Sequence, residues 1–210
     1  MAPSAQQALS ILRDSSNFEW YLIPFLLVVI YIYFVEIGRK DWSAVCGGLA
    51  FWAMEWHAEI WNAVIFHLSG FAPLWGTPGK TAYQILIGLN IEISMMFLIM
   101  GMAAMKLLPA DRRARILGLP SRLFIGALLA ACCILVEMVL NAVGALTWEY
   151  WWWSTRFPFI LFGIAYLPLF LVAFRIHDIG KVRGKVAATA ALYAWNGLLV
   201  LVFGVILRWI

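Results

Sequence analysis

The sequence predicts an all-α fold: a polytopic membrane helical bundle of about six transmembrane helices, both termini outward, in one domain over residues 1–210. Three observations carry this. The chain is 64% hydrophobic with a mean hydropathy of +0.88, more apolar surface than a soluble domain of this length can hide. Six apolar runs are long enough to cross roughly 30 Å of hydrocarbon. The loops between them alternate in charge.

Residues 1–19 form a polar segment (Gln6, Gln7, Arg13, Asp14, Ser15, Ser16, Asn17, Glu19) without the pattern of a cleaved signal, so the first helix is expected to act as its own targeting signal. The spans are expected near 20–38, 42–66, 82–107, 122–146, 157–176 and 187–208. Pro24, Pro158 and Pro168 fall near helix starts or at kinks, which membrane helices tolerate. The last run is the cleanest, with only Arg208 at its end. Cys46, Cys132 and Cys133 lie in apolar runs and read as small core residues.

One set of loops carries Arg39, Lys40, Lys106, Arg112, Arg113, Arg115, Arg122, Arg175, Lys181, Arg183 and Lys185. The other carries only Arg13, Lys80, Arg156 and Arg208. Positive residues mark the cytoplasmic side, which turns both termini outward. The net charge of +4 therefore reads as topology and contact with membrane lipid headgroups; no nucleic-acid partner is expected. The membrane would be the plasma or inner membrane in a bacterium and the endoplasmic reticulum in a eukaryote. Two outer loops stand apart. Residues 69–81 are rich in Gly and Pro. Residues 147–156 concentrate Trp148, Tyr150, Trp151, Trp152 and Trp153, either as an interfacial belt or as a lid whose rings, Trp151 among them, face a ligand or a cationic intermediate.

The functional signal is acidic. Glu55, Glu59, Glu92, Glu137 and Glu149 sit in or beside apolar runs with no Lys or Arg within reach in the same stretches. Ionisable residues inside a membrane are costly and mark functional sites by default. At 100° per residue, Glu55, Glu59 and Asn62 fall within about 60° of one another, with Trp52 on the flank and His57 on the far side. Glu137 and Asn141 share a face in the fourth span, as do Gly88, Glu92 and Met96 in the third. Counted at 1.5 Å per residue, Glu55, Glu92 and Glu137 are expected at one depth, in a cavity opening toward the outer loops. Glu149 is expected at the interface, paired with Arg156.

Hydrogen bonding between helices would explain one such residue, not four acids with two asparagines. A carboxylic acid kept neutral can donate a proton, and an ionised neighbour can stabilise positive charge or take the proton back. Aromatic walls then suit carbocation chemistry on a lipid-like substrate. The expected catalytic residues are Glu55, Glu59, Glu92 and Glu137. Trp52, Trp56, Trp61 and Trp151 are the expected walls, and Asn62 and Asn141 the orienting hydrogen bonders. No cofactor and no metal is required, and a homo-oligomer is possible. A di-metal oxidase is the first rival, although the Glu-x-x-His spacing of such bundles is missing after Glu92 and Glu137. A binder or carrier of hydrophobic cations, or a subunit of a membrane complex, is the second.

The run Glu55, Glu59 and Trp61, with Glu92 in the next helix, resembles the emopamil-binding type of membrane isomerase, where His stands at the position of Glu55. The chain also resembles the small integral-membrane terpene cyclases. Trp52 and Glu55 would take the part of their Trp-and-Glu signature, and Glu137 that of their second acid. Either resemblance implies acid-initiated chemistry on an isoprenoid or sterol-like lipid, with the product a cyclised or isomerised one.

Overall fold

The computed structural model describes residues 1–16 and 18–210. Asn17, counted above in the polar segment, lies outside the described residues. A short helix α1 (Pro3–Ser10) is followed by α2 (Leu22–Gly38), α3 (Trp42–Ser69), α4 (Ile91–Lys106), α5 (Ser121–Ala142), α6 (Pro158–His177) and α7 (Val182–Ile206). π-helical stretches interrupt α6 at Leu161–Tyr166 and end α7 at Val200–Ile206. By length and composition α5, α6 and α7 can each cross a membrane, and α2 is a shorter apolar helix.

Two small hairpins modify the all-α expectation. Strands β1 (Gln84–Leu86) and β2 (Leu89–Asn90) pair antiparallel just before α4; β3 (Arg115–Ile116) and β4 (Leu119–Pro120) do so before α5. The second closes through Leu117 and Gly118, both at positive φ, as two-residue hairpin turns require. The first corrects the span expected at 82–107. Asn90 caps α4 by accepting from Ile93 N at 2.8 Å, so the helix starts nine residues late. A side-chain cap satisfies a helix-end N–H that apolar periodicity does not report.

The bundle is built around α3, which packs on α2, α4, α6 and α7, while α5 lies against α6. Phe51 of α3 is fully buried, 4.6 Å from the Phe170 ring and 5.6 Å from that of Phe97. Small residues let α3 and α4 approach closely: a Cβ on Gly101 would stand 2.8 Å from the Gly48 carbonyl oxygen. Gly101→Ala is therefore expected to destabilise the protein by about 1–3 kcal/mol through overpacking. Thermal unfolding in detergent measures this. An unchanged midpoint would mean the crossing is looser than it looks.

One end of the bundle gathers α1, residues 70–90, residues 143–157 and the C-terminus. Although its sequence is polar, α1 docks by an alanine face. Ala2 and Ala5 pack with Ala72, and Ala8 with Ala63 and Ile87. Ala2 N donates to Phe71 O and Arg13 N to Gln84 O, each at 2.9 Å. Glu149, expected opposite Arg156, instead accepts from the Ser4 hydroxyl. Cys46 is buried and Cys133 half-buried, but Cys132 is exposed on α5, because that helix turns one face away from the bundle.

The other end is basic and tightly paired. Lys106 Nζ bridges Glu36 and Asp41, and Asp41 also caps α3 by accepting from Ala44 N at 3.0 Å. Arg122 forks onto Asp178 at 2.9 and 3.1 Å, with His177 Nδ1 2.9 Å from the same carboxylate. Burial alone would raise the Asp178 carboxyl, but the bonds from Arg122 and His177 outweigh it and hold the group below its ordinary value near 3.8. A depressed folded-state value stabilises the fold above the ordinary value and is lost as pH falls through the depressed one. Wild type should thus lose stability below about pH 4. Arg122→Ala should be less stable at neutral pH and show a flatter acid limb in thermal unfolding against pH.

Candidate functional site

The heptad-like spacing of Glu55, Glu59 and Asn62 puts all three on one face of α3, and all three are buried, at 2%, 4% and 0% exposure. Above them Asn62 organises the Gly- and Pro-rich segment. Its Nδ2 donates to Trp75 O at 2.7 Å, and its Oδ1 accepts from Leu74 N at 2.7 Å and Trp75 N at 3.3 Å. So held, Trp75 donates from Nε1 to Glu59 Oε1 at 2.7 Å. Gly88, in the turn between β1 and β2, lets this layer close: a Cβ there would stand 2.7 Å from Glu59 Oε2 and 2.8 Å from Trp75 Cδ1.

Glu137 reaches the same place from α5. It accepts a hydrogen bond from Tyr166 at the end of the π-helical stretch of α6. π-turns re-aim side chains and recur at functional sites. Together these residues line a pocket of about 50 Å³ with Phe97 of α4 and Trp153. That volume holds a few water-sized groups. Trp75 and Trp153 stack at 5.7 Å and cover the pocket on the side of residues 70–90 and 143–157.

Three carboxyl groups therefore share one apolar pocket whose lining holds no Lys, Arg or His. Glu59 is near enough to Glu55 and to Glu137 for their charges to repel. Among the described residues, neither Glu55 oxygen nor Glu59 Oε2 has a hydrogen-bond partner. An anion in such surroundings is expensive. The arrangement can hold a proton, release it to an electron-rich carbon, or stabilise a cation against aromatic faces. No three His, Cys, Asp or Glu side chains converge to hold a metal ion among the described residues.

Several expected site residues lie elsewhere. Glu92 does not line the pocket. Because α4 starts at Ile91, Glu92 sits in its first turn, roughly 13 Å nearer the end of the bundle that holds α1 than a helix from residue 82 would put it. It accepts from Tyr21, from Thr81 Oγ1 at 2.5 Å and from Ala82 N at 2.9 Å, latching α2 and the loop to α4. Trp52 and Trp56 do not line the pocket. Both donate to Ser94 Oγ, at 2.8 and 3.3 Å, and Trp52 packs on Tyr193 of α7. Trp61 is 40% exposed, edge-on to His57 and Phe203. Trp151 is 74% exposed; Trp153, at 2%, is the residue of that cluster that reaches the pocket. Asn141 donates to Leu146 O at 3.1 Å, shaping the chain after α5 without facing the acids.

Trp75, Tyr166 and Phe97 were not expected at the site; Trp153 was expected only as one ring of the aromatic cluster, and Gly88 only on a face with Glu92. The sequence signals for the first two are that Trp75 lies within the Gly- and Pro-rich segment and that Tyr166 lies two residues before Pro168.

The fold and this pocket define a polytopic helical membrane protein with an acidic, aromatic-walled core. The chain belongs to a family described as an uncharacterized membrane protein family, whose model matches residues 2–205. A relative from Archaeoglobus fulgidus, described as an uncharacterized protein, is 53% identical over 207 residues, covering 99% of this chain and 98% of the relative. A second protein from that organism, described in the same words, is 38% identical over 53 residues, 25% of this chain and 95% of its own length. No solved structure matches the chain.

Proposed function

We propose that this protein is an integral-membrane enzyme that protonates an alkene of an isoprenoid-type lipid and steers the resulting carbocation to an isomerised or cyclised product. The observation that carries this reading is the meeting of Glu55, Glu59 and Glu137 in one aromatic-walled pocket without a basic residue. Glu55, neither of whose oxygens has a hydrogen-bond partner among the described residues, is the proton donor. Its O–H bond breaks as the alkene π pair forms a C–H bond, leaving a cation on the neighbouring carbon. Glu59, fixed by the Trp75 N–H, faces that charge as a carboxylate, and the rings of Trp75, Trp153 and Phe97 shield it from water. Loss of a proton from the cation to a carboxylate forms the product alkene. Its transfer back to Glu55 restores the acid.

The proposal extends to topology. The six long helices run alternately between two ends, and all six cross the membrane. The Lys106, Arg122 and Lys185 end faces the cytoplasm, and both termini face outward. The site then lies within the outer half of the membrane.

The test is turnover of polyprenyl alcohols and their diphosphates by purified protein in D₂O. The product should carry a new C–D bond at the protonated carbon. A product free of deuterium would overturn the mechanism. The unpartnered Glu55 oxygens also fit a binder of hydrophobic cations. Saturable binding of tetraphenylphosphonium without turnover of any prenyl substrate would replace the enzyme reading with that one.

A further inference from the structure

A second cavity, of about 390 Å³, lies between α4 and α5. Its walls are Met96 and Met100 of α4 and Cys132, Cys133, Val136 and Leu140 of α5. Its inner end is formed by Phe97, Glu137 and Tyr166, which also line the acidic pocket. Its outer rim holds Met96, Cys132 and Val136, all exposed, on the face of α5 that no other helix covers. The groove thus connects the outside of the bundle to Glu137.

We propose that this groove is a lateral portal that holds the hydrocarbon chain of the substrate and delivers it from the bilayer to the acids. The proposal rests on the reading of the acidic pocket as a site of lipid chemistry and names how the lipid is held. Three features single out a chain as the occupant. Glu137, at the inner end, is the one ionisable carboxyl in the lining, so nothing along the groove recognises a polar headgroup. The groove continues into a pocket with room for only a few small groups, which a chain threads end-on. Apart from Glu137 and Tyr166 the lining is Ile, Leu, Val, Met, Phe and Cys, side chains that match a hydrocarbon chain. The lipid's polar end stays in the membrane, Glu137 and Tyr166 are the first polar groups its chain meets, and Met96, Met100 and Val136 set the chain width that is admitted.

The experiment uses full-length protein in phospholipid vesicles with a diazirine-bearing geranylgeraniol, irradiated and mapped by peptide mass spectrometry. Adducts should concentrate on Met100, Cys132, Cys133, Val136 and Leu140, and excess unlabelled geranylgeraniol should remove them. Val136→Trp, which fills the mouth, should reduce labelling by about tenfold, the factor for 1.4 kcal/mol of lost binding. Val205→Trp, on an exposed face of α7, should leave it unchanged. Equal labelling of the outer faces of α2 and α7, or labelling indifferent to Val136→Trp, would overturn the portal. So would cross-linking of Cys132 between two copies without lipid adducts, since the groove would then be a dimer seam. Failure of the portal and of the enzyme reading separate cleanly. Portal labelling without turnover leaves the portal and removes the chemistry; turnover without portal labelling does the reverse.

Discussion

Glu55→Gln is expected to lower prenyl turnover by about 10²–10⁴-fold, the usual contribution of a positioned general acid. Glutamine keeps the shape and the burial but carries no transferable proton. KM should stay nearly constant, because among the described residues neither Glu55 oxygen has a hydrogen-bond partner to lose. Glu59→Gln should cost rate by another route. The Trp75 N–H keeps an oxygen to donate to, but the charge opposite the cation is gone. Its variant should still place deuterium in whatever product it makes, whereas Glu55→Gln should make almost none. Glu137→Gln keeps a partner for Tyr166 and should change the product mixture as well as the rate. Glu92→Gln is the contrast. It weakens the latch with Tyr21, Thr81 and Ala82, so thermal stability should fall while turnover per folded molecule holds. Steady-state kinetics and product analysis of the four variants read all of this. Wild-type turnover by Glu55→Gln would sink its assignment as donor.

Asn62→Leu is expected to open the pocket. Asn62 is fully buried and makes three hydrogen bonds to the Leu74–Trp75 backbone. Leucine fills a similar space but leaves those backbone groups unpaired, at a cost of about 1–3 kcal/mol for each one left buried. The least costly relief is for the segment to move outward, carrying Trp75 off Glu59 and off its stack on Trp153. Water would then reach the cation, so alcohols should replace hydrocarbons among the products. Thermal unfolding should drop by about 2–4 kcal/mol of stability. A destabilised variant with an unchanged hydrocarbon product would show that Trp75 is not what keeps water out.

Much of this was legible in the sequence. Hydrophobic periodicity follows local chemistry, so the apolar runs match the long helices closely except where capping intervened. The stripe of Glu55, Glu59 and Asn62 is a property of one helix and needs no neighbours to be seen. Glu137 was also identifiable, as an acid in an otherwise apolar run. The error on Glu92 came from a boundary. Residues 82–90 are as apolar as a helix, yet Gly88 and the Asn90 cap turn them into a hairpin, and every depth counted from that end moves with it.

The walls were not legible, because which aromatic ring faces an acid depends on how separate segments meet. Trp52 and Trp56 are neighbours of Glu55 in sequence, but the helical turn points them toward Ser94 and Tyr193. Trp75 and Trp153 come from loops 78 residues apart and touch only because Asn62 and the packing of the outer loops bring them together. The sequence by itself determined a membrane bundle and an acidic face on α3, since both are written in local spacing. Only the tertiary structure decided which acids meet, that two tryptophans roof them, and that a groove beside them opens on the outside of the bundle between α4 and α5. Those are matters of packing between helices, which the order of residues along any one of them does not contain.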